Sequence, residues 1–233
     1  MKRIMKISRL FMISGIFSLG LCACSKSESP FYDYVNTVQV YKGTALQYLK
    51  DQPSGTFDSL LLVLKRYPNL EDSLSKEQLT VFAPVNKNFE ASIKYLNIRR
   101  KNIGMAPVYL STADEQQLSV MLCKYFIRGS KSTDNYINDS DGVLVRSILY
   151  NYPMHVKYEK MSSSGYVEGG ASALRFSDTF GSSFSKDWVR TKANTVNIRT
   201  DNATINILES IHNFGFDEFT DRLSTDFETD LAN

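Results

Sequence analysis

The segment TVFAPVNKNF, residues 80–89, constrains the fold of this chain more than any other feature. Thr80 to Ala83 combine β-branched and apolar side chains, as buried strands do. Pro84 has no backbone N–H to donate, so strand pairing must end there. Asn86 is placed to cap a following helix, in which Phe89 is an apolar residue facing the core. The segment therefore predicts a buried strand that passes directly into a helix.

The hydrophobic pattern changes along the chain. In the first half, TALQYLKD (44–51) and FDSLLLVLKRYPNL (57–70) carry apolar residues three and four positions apart, which is typical of helices facing a core. In the second half, short segments such as MHVKYEKM (154–161) and TVNIRT (195–200) are rich in β-branched and aromatic residues, with Gly, Ser, Asn or Asp between them. Helices followed by mostly antiparallel strands predict an α+β fold in one domain.

Residues 80–89 resemble the first signature segment of the fasciclin domain, whose usual form is TVFAPTNxAF. Val85 replaces the usual threonine and Asn88 the usual alanine, while the spacing of strand, proline and helix is retained.

A second segment, TDNATINILESI (200–211), resembles the closing motif of the family, TxNGxIHxIDxV, without gaps. Its departures are Ala203 for glycine, Asn206 for histidine, Leu208 for isoleucine and Glu209 for aspartate.

A third and looser resemblance lies in LSVMLCKYFIRGS (118–130), where Tyr125 is retained and Phe126 takes the place of the family's histidine. In animal members this segment is associated with integrin-type adhesion, which is therefore not expected here. Tyr125 is expected instead to be a core residue with its hydroxyl hydrogen-bonded. The positions that carry the three resemblances are Thr80, Val81, Phe82, Ala83, Pro84, Asn86, Phe89, Tyr125, Thr200, Asn202, Ile205 and Ile211.

The resemblance covers residues 37–223 and implies a fasciclin-like β-sandwich or wedge with helices packed at one side. It also implies a role in adhesion and extracellular interaction. The chain exceeds a usual fasciclin domain in two stretches, 97–111 and 158–194, which we interpret as long loops.

The N-terminus has the layout of a processed secretory signal, with four basic residues before a short apolar run. Residues 21–24, LCAC, resemble the lipobox of bacterial lipoproteins, so we predict a signal peptide over 1–23 and lipidation of Cys24. Cys22 is the competing lipidation site, and an ordinary secretory signal is the alternative. Residues 24–36 are then a linker and 224–233 a C-terminal tail. Ser25 resembles the sorting pattern for delivery to an outer membrane.

Charge and motif content exclude several classes of function. Loss of residues 1–23 removes four basic and no acidic residues, so the formal net charge falls from +2 to −2. This balance argues against nucleic acid as a partner, and the densest basic run, 99–101, is expected in a solvated loop. The two histidines, His155 and His212, are far apart and lie in no ligand-spaced cluster, so no metal site, cofactor or catalytic residue is predicted.

Aromatic residues in the second half are the best candidates for a binding site. Exposed rings stack on sugars or fill pockets of a partner, although most of the aromatic residues are expected in the core. The candidate ligand-binding residues are Tyr158, Tyr166, Phe184 and Trp188, and Trp188 is the strongest because its surroundings are rich in Ser and Gly. We expect a non-enzymatic, lipid-anchored protein of the outer membrane that mediates adhesion or extracellular protein interaction. The alternative is a glycan-binding accessory lipoprotein of a polysaccharide-uptake system.

Overall fold

The computed structural model describes residues 38–161 and 170–225. The predicted signal peptide, Cys24, the linker, Tyr166 and all but the first two residues of the predicted tail lie outside the described residues. None of the helices in the described ranges combines the length and the apolar character needed to cross a bilayer.

Helices and strands occur in the described ranges in the order that the sequence pattern predicts, with most helices first. The helices are α1 (Ala45–Asp51), α2 (Asp58–Leu64), α3 (Pro68–Lys76), α4 (Asn86–Asn102), α5 (Glu115–Cys123) and α6 (Glu218–Leu223). The strands are β1 (Leu79–Ala83), β2 (Phe126–Arg128), β3 (Val143–Arg146), β4 (Pro153–Lys160), β5 (Ser172–Asp178), β6 (Val189–Arg199) and β7 (Ala203–Leu208). Short 3₁₀ turns cover Thr133–Asn135 and Ser185–Asp187.

These strands form one sheet in the order β2-β1-β7-β6-β5-β4-β3. β1 and β7 are parallel, whereas the other neighbouring strands are antiparallel. An isolated bridge joins Ile127 of β2 to Ser147 after β3, so the two edges of the sheet nearly meet. The α+β prediction is confirmed. The finer prediction of a sandwich or wedge with helices at one side stays a prediction.

The opening segment forms the strand and helix that its sequence predicts, but with different capping. Every residue of β1 is buried, and the strand ends at Ala83, before the proline. Asn86 is the first residue of α4 rather than its cap, and its Oδ1 accepts a hydrogen bond from the Ser59 N–H of α2 at 2.9 Å. Asn88 takes the capping role, because its Oδ1 accepts the Val85 N–H at 2.7 Å. The prediction that Asn86 caps the helix is therefore wrong.

The closing segment begins with a buried asparagine that connects three elements. Asn202 Oδ1 accepts the Ala45 N–H at 2.9 Å, where α1 begins. Its Nδ2 donates to the carbonyl oxygens of Leu74 and Glu77, at 3.1 and 2.9 Å, where α3 ends. One amide group therefore holds both helices to the start of β7. At the other end of the segment, Ile211 is 81% exposed, so this motif position does not contribute to the core.

Tyr125 is fully buried, and its hydroxyl is satisfied on both sides, as the sequence predicts. The Gly215 N–H donates to this hydroxyl at 2.8 Å, and the oxygen lies 2.7 Å from Nε2 of His212. Burial lowers the pKa of His212 to about 3, so its ring is neutral at physiological pH. In the tautomer that leaves Nε2 unprotonated, this atom accepts the hydrogen bond that the Tyr125 hydroxyl donates.

A buried group of charges holds α6 against the sheet. Lys124 and Asp178 are both fully buried, with 2.5 Å between Nζ and Oδ2. Lys124 also contacts Glu218 of α6, and Arg222 pairs with Glu218 at 2.8 Å. Two cations and two carboxylates thus compensate one another where an unpaired charge would be costly.

Parts of both stretches that we interpret as long loops belong to helices or strands. Residues 97–102 continue α4, and residues 158–160, 172–178 and 189–194 are strand in β4, β5 and β6. Within the basic run, Arg100 is 3% exposed and donates from Nε to the Ala106 carbonyl at 2.6 Å. The prediction of a loop for 99–101 is therefore wrong, because these residues lie in α4. Arg99 and Lys101 are exposed, whereas Arg100 is buried.

Residues 39–41 run beside the end of β6. Val40 forms a parallel bridge with Arg199, whose N–H donates to the Gln39 carbonyl at 2.8 Å. The Tyr41 N–H in turn donates to the Arg199 carbonyl at 2.8 Å. The start of the described chain is therefore joined to the C-terminal end of β6.

We expect Asn202→Ala to lower the free energy of unfolding by about 3 kcal/mol, because it leaves one buried N–H and two carbonyl groups without their partner. Urea denaturation followed by circular dichroism measures this loss. Asn69→Ala, at an exposed position of α3, is the matched control and should change stability by less than about 0.5 kcal/mol. Equal effects of the two substitutions would contradict the role of Asn202.

Candidate functional site

A concave site of about 320 Å³ lies on the face of β4, β5 and β6. We call it the β4–β6 pocket. Its lining residues are Asp141, His155, Lys157, Arg175, Ser177, Ser185, Trp188 and Arg190. A second depression of about 340 Å³ shares Arg175 and Arg190 with it and extends toward Lys192 and Glu209.

The strand register places two rows of side chains across the pocket face. Alternate residues of a strand point to the same side, and directly paired residues of neighbouring strands share that side. The first row is His155, Ser177 and Arg190, and the second is Lys157, Arg175 and Lys192. The opposite face of β4 carries Met154 and Val156, both fully buried in the core.

His155 forms part of the pocket floor and is 6% exposed. Its Nε2 lies 2.8 Å from the carbonyl oxygen of Asp141, which can only accept, so Nε2 carries a proton. Burial lowers the pKa of His155, and the nearby charges of Lys157, Arg175 and Arg190 lower it further, against the opposing effect of the Asp141 carbonyl. The ring is therefore neutral near pH 7, and its Nδ1 is an acceptor.

Trp188 covers one side of the pocket. It follows the 3₁₀ turn Ser185–Asp187, and its Nε1 donates to the Ser182 carbonyl at 2.8 Å, which fixes the orientation of the indole. The centroid of the indole lies 4.7 Å from that of the His155 ring, with 44° between the ring planes. The tryptophan is thus held in contact with the floor of the pocket while remaining partly exposed.

Two polar atoms at the floor have no hydrogen-bond partner among the described residues. They are Nδ1 of His155 and Oγ of Ser177, and both are buried. Buried polar groups are usually satisfied, and unsatisfied ones call for an explanation such as a water or a ligand. Here both unsatisfied atoms belong to neighbouring residues on the floor of one pocket. This arrangement favours the interpretation of the pocket as a binding site.

The positive charges of the pocket are only partly compensated. Glu159 contacts Arg175 and lies 3.7 Å from Nζ of Lys192. Within the described ranges, no ion pair involves Lys157 or Arg190. Arg190 is instead held by the loop, since its guanidinium donates to the carbonyl oxygens of Ser185 and Trp188. The pocket therefore offers fixed donors and an excess of positive charge.

The structure separates the four aromatic residues that the sequence singled out. Trp188 lines the pocket. Phe184 lies in the same loop and is 66% exposed, but it does not line the pocket. Tyr158 lies in β4 at a core-facing position and bonds through its hydroxyl to Ser172 at 2.8 Å. Tyr166 lies outside the described residues.

Sequence reasoning missed the polar residues that surround Trp188. The signal was present as basic or polar residues at alternate positions, in HVK (155–157), RFS (175–177) and RTK (190–192). Period-two spacing places such residues on one face of a strand, but only the register shows that the three faces coincide. Among the described residues, no group of three or more His, Cys, Asp or Glu side chains is arranged to hold a metal ion.

No protein-family model and no curated protein matches the chain. Among solved structures, the chain is similar to a FAS1 domain pair from the insect cell adhesion molecule fasciclin I, with a TM-score of 0.45 and 15% identity. The match covers 74% of this chain and 46% of that chain, so the chain spans about half the length of the protein it matches. The resemblance to the fasciclin family therefore stays a prediction from the sequence motifs.

We expect Gly142→Ala to distort the pocket. Gly142 has a φ of +81°, and a Cβ there would lie 2.5 Å from Cε1 of His155 and 2.7 Å from the Val156 carbonyl oxygen. Gly104→Ala is the matched control, because Gly104 has a φ of +76° and no atom within 4 Å of such a Cβ. Both variants should lose about 1 kcal/mol of unfolding free energy from the backbone conformation.

Only Gly142→Ala should lose more than this and shift the fluorescence of Trp188, the one tryptophan of the chain. Emission spectra and urea denaturation measure both effects. Identical spectra for the two variants would show that Gly142 does not shape the pocket.

Proposed function

We propose that this protein is a non-enzymatic binding protein of the cell envelope whose β4–β6 pocket holds a glycan outside the cell membrane. The observation that carries the proposal is the indole of Trp188 held beside a concave, polar floor. Binding sites for small ligands are concave and combine an apolar surface with a few placed polar groups. The pocket has these features on three strands of the sheet, which make a rigid support.

The groups in the pocket suit a ligand rich in hydroxyl groups. A sugar presents both donors and acceptors, and the floor offers Nδ1 of neutral His155 as an acceptor and Ser177 Oγ as either. The cationic side chains around them donate hydrogen bonds to sugar oxygens. Binding a glycan at the cell envelope is the role of an accessory lipoprotein in polysaccharide uptake. The sequence analysis gives this role as the alternative to adhesion.

Adhesion to a partner protein is the second candidate function, in keeping with the sequence resemblance to fasciclin domains. A separate observation favours it. Four large apolar side chains near the end of α4 and in the following loop are about half exposed, namely Tyr95, Ile98, Ile103 and Tyr109. Exposed apolar groups of this kind often contribute to protein interfaces.

The proposal places the domain on a membrane through Cys24. An acylated cysteine is held by about 0.8 kcal/mol for each buried methylene group, and more than one chain is needed for stable anchoring. The Ser25 that follows supports delivery to an outer membrane in a cell that has two membranes.

We expect Cys24→Ala to move the protein from the membrane fraction to the soluble fraction of the envelope, because the acyl acceptor is lost. Cys22→Ala is the matched control and should leave the protein with the membranes. Fractionation with metabolic labelling by a fatty-acid analogue measures both. Labelling that is lost in Cys22→Ala and kept in Cys24→Ala would contradict the assignment of the anchor.

We expect Trp188→Ala to weaken retention on immobilised polysaccharides by about tenfold, which corresponds to about 1.4 kcal/mol. Loss of the indole removes the apolar wall of the pocket. Tyr95→Ala is the control, because it removes an aromatic ring that is 56% exposed on α4. Circular dichroism confirms that each variant is folded.

Retention that survives Trp188→Ala would exclude the pocket as the glycan site. Capture of a partner protein that is lost in Tyr95→Ala and kept in Trp188→Ala would favour adhesion instead.

A further inference from the structure

Three cationic side chains converge on one neutral ring in the β4–β6 pocket. Lys157, Arg175 and Arg190 all line the pocket, and the charge of each acts on His155 between them. Like charges on neighbouring strand positions repel and are destabilising in a free surface. An anionic ligand bound between these three side chains would relieve their repulsion.

The compensation of this charge within the protein is incomplete. Glu159 contacts Arg175, so one of the three cations is paired. In the part of the chain that the structure describes, Lys157 and Arg190 have no ion pair, and the pocket's remaining carboxylate is that of Asp141. The pocket therefore carries excess positive charge that one anionic group of a ligand could neutralise, and it has the volume to hold that group.

The side chain of Arg190 is preorganised to bind an anionic group. The Ser185 and Trp188 carbonyl oxygens accept hydrogen bonds from its guanidinium, which limits the freedom of the side chain before any ligand arrives. A guanidinium held in place can present its remaining N–H groups to two oxygens of a carboxylate or sulfate at once. The same Trp188 that provides the carbonyl also provides the indole surface beside it.

We propose that the ligand of the β4–β6 pocket is an acidic glycan, whose carboxylate or sulfate group lies among Lys157, Arg175 and Arg190 while its sugar ring lies on Trp188. This inference rests on the proposed function and gives its substrate class. Ser177, at the floor between the cationic residues, supplies a hydroxyl that has no partner among the described residues. A neutral glycan would leave the excess positive charge without a partner.

The test is isothermal titration calorimetry on the full chain in non-ionic detergent, with oligogalacturonate and its methyl ester as the matched pair of ligands. The two differ in charge and little in shape. We expect the acid to bind at least about tenfold more tightly than the ester. Oligosaccharides of a sulfated galactan then distinguish sulfate from carboxylate as the preferred group, and neutral galactan oligosaccharides provide the uncharged reference.

Arg190→Gln should weaken binding of the acid by about tenfold and abolish its advantage over the ester. Arg146→Gln is the matched control, since Arg146 is also an exposed arginine that donates to a nearby loop carbonyl, that of Asn151 at 3.2 Å. It should change neither affinity. Trp188→Ala should weaken the binding of both ligands, because both place a sugar ring on the indole.

The outcomes separate this inference from the proposed function. Equal affinity for acid, ester and galactan, lost in Trp188→Ala, would overturn the acidic class and leave a glycan-binding pocket. No binding of any of these glycans would overturn both. Tighter binding of a nucleotide such as UMP than of every acidic sugar would overturn the acidic glycan in favour of a nucleotide ligand.

Discussion

The parallel pairing of β1 and β7 is the constraint on which the rest of the fold depends. Leu79 to Ala83 lie beside Ala203 to Ile207 in an unbroken register. Two parallel strands cannot be joined by a tight turn, so the 119 residues between Ala83 and Ala203 must leave the pair and return to it. Asn202 completes the arrangement by holding α1 and the end of α3 at the start of this pair. The two most recognisable segments of the sequence are thus direct neighbours in space.

Much of the scaffold is readable from the sequence because it depends on local patterns. The period of apolar residues identifies the helices and strands, and Pro84 marks the end of β1 within one residue. Side-chain partners were harder to predict, because they depend on geometry between distant segments. The sequence predicts that Asn86 caps its own helix, but its side chain bonds to α2. The partner of Tyr125 is His212, 87 positions away. Neither contact can be recognised from the residues that surround it in the sequence.

The same limit applies to the candidate site. Trp188 stands out in the sequence because it is a large aromatic residue among Ser and Gly, and it does line the pocket. Tyr158 is also a candidate from the sequence, but it lies on the core-facing side of β4, because one position along a strand changes the face. The cationic residues of β4, β5 and β6 become a group only when the register of three strands is known. The pocket and the core therefore occupy opposite faces of the same strands.

The bridge between Val40 and Arg199 has a mechanical consequence. Residues 39–41 are joined to the C-terminal end of β6, and the pocket residue Arg190 lies near its other end. If the protein is tethered at its N-terminus and holds a ligand in the pocket, these backbone hydrogen bonds would pass tension from residues 39–41 into β6. Both neighbours of this strand, β5 and β7, are hydrogen-bonded to it, so pulling would shear several backbone bonds together instead of opening them one by one. The longest strand of the sheet would then carry the force between anchor and ligand.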